Sequence, residues 1–286
     1  KGEYRLTEDD IVKGGGGQRT DIFYDAIAIG DYPIDLHFCR YGIGDVFKPI
    51  APYQIPYRVT IPENIDGFMA ADKNISVSHI VNGTTRLQPV TTSVGQAVGV
   101  AAAMASNKGI EPRNIDVREL QEKLFDAKSN LFFFKDLPPD HFAYPYVGRL
   151  AVKGYISGYA DFTFKPDDSI NESDFLKILK VFLTYKNHDE ELLNKVDLKD
   201  GSQVLVTRAN MVEHMYNLLN SAAKIDTSNQ EYLQFTDIDK DSDLYDKLSR
   251  LVAIGVFSNS SNFRPNDYLT RAEAVTLSGR TFDILF

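Results

Sequence analysis

The sequence has no tryptophan and a single cysteine, Cys39, in 286 residues. One thiol cannot close an intramolecular disulfide, so the chain depends on hydrophobic cores of its own, and a 43% hydrophobic content is enough to build them. Positive charge is scarce: 31 Lys and Arg stand against 40 Asp and Glu, a net charge of −9. The deficit runs the whole length, 14 against 17 in residues 1–130 and 17 against 23 in 131–286. No basic stripe exists to displace counterions, which excludes a nucleic-acid binder and also charge-driven anchoring to an anionic membrane. An apolar run of about 20 residues, the length of a membrane span, is missing too. The nearest approach, roughly 91–106, is shorter and contains Gln96. Histidine occurs five times; His141, His188 and His214 have no acidic or cysteine partners at ligand spacing, and no metal site is expected.

What the sequence does have is internal repetition. Residues 134–156 align with 235–257 at an offset of 101: Phe134 with Phe235, Asp136 with Asp237, Arg149 with Arg250, Gly154 with Gly255. The offset then falls to 99, pairing Phe164 with Phe263 and Pro166 with Pro265. A partial third copy lies between them, where Val206, Thr207, Arg208 and Ala209 repeat the pattern of Leu269 to Ala272. Repetition at this scale marks a supersecondary unit whose copies bury their faces against each other. Each copy reads as helix, loop, helix. Tyr144, Val147, Leu150 and Ala151 share one helical face, and Gly154 is placed to stop that helix. Asn171 caps the next helix, and Thr270 with Glu273 forms a capping box that opens the last. The cap does not account for Arg271, a cation in a first turn whose dipole opposes it. In 237–248, Asp237, Asp239 and Asp241 match the start of a calcium loop, but Ser242 and Leu248 replace its glycine and glutamate. The run reads instead as a solvated loop before a helix.

These elements resemble S-layer homology motifs: a leading Phe-x-Asp, a helix stopped by Gly, a Gly-Tyr-x-Asp-x-x-Phe-x-Pro loop and a Thr-Arg-Ala-Glu helix start. The resemblance covers about 131–286 and implies an all-α domain of three motifs that tethers exported proteins to secondary cell-wall polysaccharide. It assigns Arg208 and Arg271 to the sugar-binding arginine position and Gly158 and Asp161 to the binding loop; the first copy carries Glu172 where the arginine belongs. The family's usual tryptophan is missing, and Phe142 stands near its place. Two readings of Arg208 and Arg271 stand: ligand contacts, or ordinary solvated helix-start residues.

Residues 1–130 differ in character. An apolar stretch, Phe68 to Ala71, reads as a short strand; a polar loop follows, then a helix rich in small residues from about Thr91 to Ser106. Gly95, Gly99 and Ala101 to Ala103 allow close approach to that helix, whose N-terminus is a seat for an anionic or carbonyl oxygen. An ordinary buried helix on a sheet is the competing reading. Residues 111–130 read as a polar helix joining the two parts. The stretch resembles the carboxy-terminal, flavin-contacting segment of FAD-dependent oxidoreductases of the glutathione-reductase-like type, through Ala71-Asp72, then Ile75, Ser76, His79, Gly83 and Arg86, with residues 25–37 and 53–71 as linker and strand. It implies FAD contacts at Asp72, Gly83, Arg86, Thr92 and Gly95. His79 and His37 are candidates for proton transfer near the ring, or satisfied core histidines. The dinucleotide fingerprint of such enzymes is not found: the Gly-rich run 13–19 puts Arg19 where its third glycine belongs.

The expectation is therefore an α+β chain. A partial flavoprotein α/β segment occupies about 1–130, and an all-α S-layer-homology-like domain occupies 131–286, in units of about 131–184, 185–224 and 232–286. The chain starts at Lys1 and reads as the carboxy-terminal portion of a longer, exported, cell-surface flavoenzyme. Its expected partners are wall polysaccharide and the upstream part of the same polypeptide; FAD belongs to the complete protein and is not expected to stay with this chain alone. The alternative is a non-catalytic wall-binding or surface-array protein with a vestigial flavoprotein segment.

Overall fold

The computed structural model describes residues 1–13, 17–37, 45–186, 190–195, 199–226, 231–260 and 262–286. Cys39, His188 and the centre of the Gly-rich run lie outside them. The fold is α+β, mostly helical with few short antiparallel strands. It divides into two compact units, 1–164 and 165–286.

In the first unit, β1 (Ala26–Gly30) pairs antiparallel with β4 (Tyr53–Pro56), and β2 (Ile34–Leu36) with β3 (Val46–Lys48). The helical turn α1 (Glu8–Ile11) and helices α2 (His79–Thr85), α3 (Gln88–Lys108), α4 (Val117–Asp126) and α5 (Tyr144–Val152) complete it. The small-residue helix α3 is longer than its sequence suggests and lies on β1. Val90, Val94 and Ala97 are buried on α3, and Ala28, Ile55 and Tyr53 fill the core. At Gly30 any Cβ would overlap the ring of its register partner Tyr53, a buried side chain whose hydroxyl lies 3.0 Å from Thr84 Oγ1. Gly30→Ala is expected to cost about 1–3 kcal/mol through this overpacking, read as a lower urea midpoint at unchanged slope.

Three readings of the sequence need correction here. Residues 68–71 do not form a strand. Gly67 and Asp72 flank them with φ of +67° and +59°, and the Ala70 amide donates to the Thr60 carbonyl at 2.7 Å. The two left-handed corners turn the chain at both ends of the stretch, and among the described residues no strand runs alongside it. Conversely, the expected polar loop contains α2, a helix capped by Ser78, whose Oγ accepts from the Val81 amide at 3.2 Å. Helix α4 is amphipathic rather than polar: Leu120, Leu124 and Phe125 are buried, and Gln121 donates to the Tyr24 and Ala26 carbonyls at 3.0 Å each.

The start of the first S-layer-like copy belongs to this unit. Gln54 Nε2 donates to the Leu131 carbonyl at 3.0 Å, and Tyr144 Oη to Asn130 Oδ1 at 2.5 Å. Arg149 on α5 binds Glu122 and Asp126 of α4, at 2.7 Å each. Gly154 ends α5 at φ +79°, with the Tyr155 amide closing on the Leu150 carbonyl at 2.9 Å. The aspartate of Phe-x-Asp ties the two ends of its copy together, since Asp136 Oδ1 accepts from the Phe164 amide at 2.8 Å.

The second unit holds α6 (Glu172–Tyr185), α7 (Arg208–Ser221), α8 (Asp243–Ala253) and α9 (Arg271–Leu285). Phe182 on α6 and Phe282 on α9 stack at 5.8 Å. Helix α8 repeats α5: Gly255 has φ +85°, and the Val256 amide meets the Leu251 carbonyl at 2.9 Å. Asp237 repeats Asp136. It accepts from the Phe263 and Arg264 amides at 2.8 and 2.6 Å; burial would raise its carboxyl, but these amide bonds prevail and hold it below the ordinary carboxylate range.

The centre of this unit is a ring of backbone bonds. Ile170 donates to Leu269 (3.0 Å), Leu269 to Val206 (2.7 Å), and Val206 back to Ile170 (3.0 Å). One step outward the amides that open three helices continue the pattern: Glu172 to the Val204 carbonyl, Arg208 to Asp267 and Arg271 to Asp168, each at 2.9 Å. Each amide that α6, α7 or α9 leaves orphaned at its first position is thus met by the loop of a neighbouring copy.

Candidate functional site

The first unit contains a cavity of about 700 Å³ whose walls are largely apolar, from Val12, Ile34, Leu36, Val46 and Ile80. His37 and His79 both line it, from the end of β2 and the first position of α2. This combination of an apolar wall with a few polar side chains is typical of a small-molecule site. His37 Nε2 lies 3.6 Å from Asp35 Oδ2, which also accepts from Arg86 Nη2 at 3.2 Å. Gly83 presses α2 against β2, where a Cβ would stand 2.8 Å from the Asp35 carbonyl oxygen. Gly83 and Arg86 therefore dock α2 on Asp35, a residue that no motif singled out.

The other three expected flavin contacts lie along α3. Asp72 opens the turn 72–74, which packs on α3. Thr92 is exposed, and nothing comes within 4 Å of a Cβ placed on Gly95. A second cavity, about 530 Å³, runs along Phe68, Ala70 and Asn74, with Arg5 in its wall. Asp72, Thr92 and Gly95 do not line this cavity.

In the repeat region, Gly158 and Asp161 shape their own loop. Gly158 has φ +68°, and a Cβ there would meet Phe134 and the Thr163 carbonyl, both at 2.6 Å. Asp161 Oδ1 accepts from the Thr163 amide at 3.1 Å and its hydroxyl at 2.6 Å. Arg208 and Arg271 occupy equivalent first positions of α7 and α9 in the other compact unit. Arg208 is engaged: its guanidinium binds Glu273, donates from Nε to the Phe263 carbonyl at 2.6 Å and lies 5.0 Å over the Phe263 ring. Its partner Glu273 is the acid of the capping box on α9. Arg271 is half-buried, and its amide donates to the Asp168 carbonyl at 2.9 Å.

The family model described as FAD dependent oxidoreductase matches residues 1–124. The one described as S-layer homology domain matches 133–176 and 234–275. No curated protein matches the chain. Among the described residues no helix is long and apolar enough to cross a membrane. The chain thus joins a segment matched by the FAD dependent oxidoreductase model to two matched by the S-layer homology model.

Proposed function

We propose that this chain is the carboxy-terminal portion of a cell-surface FAD-dependent oxidoreductase held on cell-wall polysaccharide by its S-layer homology domain. The succession of the two family matches along one chain carries the reading. Residues 131–286 form the anchor, with the second copy abbreviated. Thr92, Gly95 and Asp72 would face the cofactor, whose flavin ring supplies the electron-transfer chemistry when bound. His37 and His79 share one cavity and suit proton exchange with a substrate.

Arg271 is the anchor's sugar-binding arginine in this reading. A guanidinium grips an acidic sugar group bidentately, which lysine cannot reproduce. Arg271→Ala is expected to weaken binding to purified wall polysaccharide by about 1–3 kcal/mol, with an unchanged melting temperature. Glu172→Ala should bind as well as the parent or better, because it removes a like charge. Equal affinity of Arg271→Ala and the parent in a titration would place the binding site elsewhere.

A further inference from the structure

Arg19 is in an unusual position for a cation. Its guanidinium carbon lies 4.7, 5.5 and 4.5 Å from the ring centres of Phe132, Phe134 and Phe162. Nη1 donates to the Phe133 carbonyl at 3.0 Å. Nε and Nη2 are buried and meet no acceptor, and no charged neighbour shifts the group. Burial alone pulls its pKa down, to about 10, so the group stays charged at neutral pH without a counter-charge.

The two unmet donors lie on one edge of the guanidinium plane, where their N–H bonds run side by side and are close enough to share one acceptor. Aromatic faces stabilise the cation from above and below but accept nothing in that plane. Each buried donor left unmet costs about 1–3 kcal/mol. Beside Arg19 lies a small void of about 20 Å³, bounded also by Thr20, Asp21, Gln54, Phe132 and Phe133; the Asp21 carboxylate is exposed and pairs with Lys13 at 2.5 Å. Its volume is that of about one water-sized particle, smaller than a carboxylate or phosphate group.

We propose that the free edge of Arg19 is a buried site for one monovalent anion of halide size, chloride being the ordinary occupant. Water would satisfy the donors but leave the charge uncompensated; a halide does both. The site joins segment 17–22 to the first S-layer copy, so its occupancy stabilises the first unit.

The test uses the whole chain. Melting temperature is followed in chloride, in bromide and in gluconate, an anion too large for the void, at constant ionic strength. Chloride and bromide should raise it, saturably, by about 2–4 °C over gluconate. Arg19→Met, which keeps an adaptable side chain among the rings, and Arg19→Lys, which lacks the planar fork, should lose the difference. Equal melting in chloride and gluconate, or a halide effect that persists in Arg19→Met, overturns the proposal. If Arg19→Met fails to fold, bromide soaked into crystals of the parent decides: an anomalous peak at Nε and Nη2 supports the site, and its absence overturns it.

Discussion

Replacing Arg58 by leucine should destabilise the protein by about 3–5 kcal/mol, the cost of stranding a buried charge. The stranded group is Asp25, whose side chain has no exposure. Its carboxylate takes the Arg58 Nε at 2.9 Å, Nη2 at 3.2 Å and backbone amide at 3.2 Å. Arg58 is held in turn between Tyr4 and Tyr24, at 4.9 and 5.0 Å. Leucine fills much of the stem volume, so the loss would be one of charge pairing rather than of packing. Arg58→Lys restores the charge without the fork and should recover only part. Urea denaturation measures both variants. A deficit below about 1 kcal/mol for leucine would show that water reaches Asp25, contrary to its complete burial.

Glu273→Ala is the second large expected effect, about 2–3 kcal/mol on the second unit. Part of this is the cap: Glu273 Oε2 accepts from the Thr270 amide at 3.1 Å, and losing a cap costs about 1 kcal/mol. The remainder arises across the copies, because Arg208, only 15% exposed, loses its carboxylate. Glu273→Gln separates the two contributions: it keeps an acceptor for Thr270 and removes the charge, so it should lose less than alanine. If alanine and glutamine are equally mild in thermal melts, the contact with Arg208 contributes nothing.

The repeats were legible because their signals are local. A capping box at Thr270, an asparagine cap at Asn171 and a glycine stop at Gly154 each act within one turn, and all three appear where the residues imply. The small-residue helix was legible for the same reason, although its ends were not: it begins at Gln88 and runs to Lys108. Partnerships between distant segments left no trace in the pattern. Asp35 is one acid among 40 until β2 carries it to Arg86 and His37. Arg19 reads as a failed glycine until three phenylalanines more than 110 positions away enclose it. The pairing of Arg208 with Glu273 is equally invisible, since each residue already has a local explanation as a helix-start residue.

The closed ring of Ile170, Leu269 and Val206 bears on how such a domain can change over time. A triangle has no free end, so two copies would leave one donor and one acceptor unmet, and a fourth would find no vacancy. The number of copies is locked, whereas the wording of any one copy is free to drift as long as its main chain keeps its place. The middle copy shows this: the S-layer homology matches stop at 176 and resume at 234, yet Val204, Val206 and Arg208 between them still supply their carbonyls and amides. A copy that has lost its recognisable text can therefore be retained for its geometry alone.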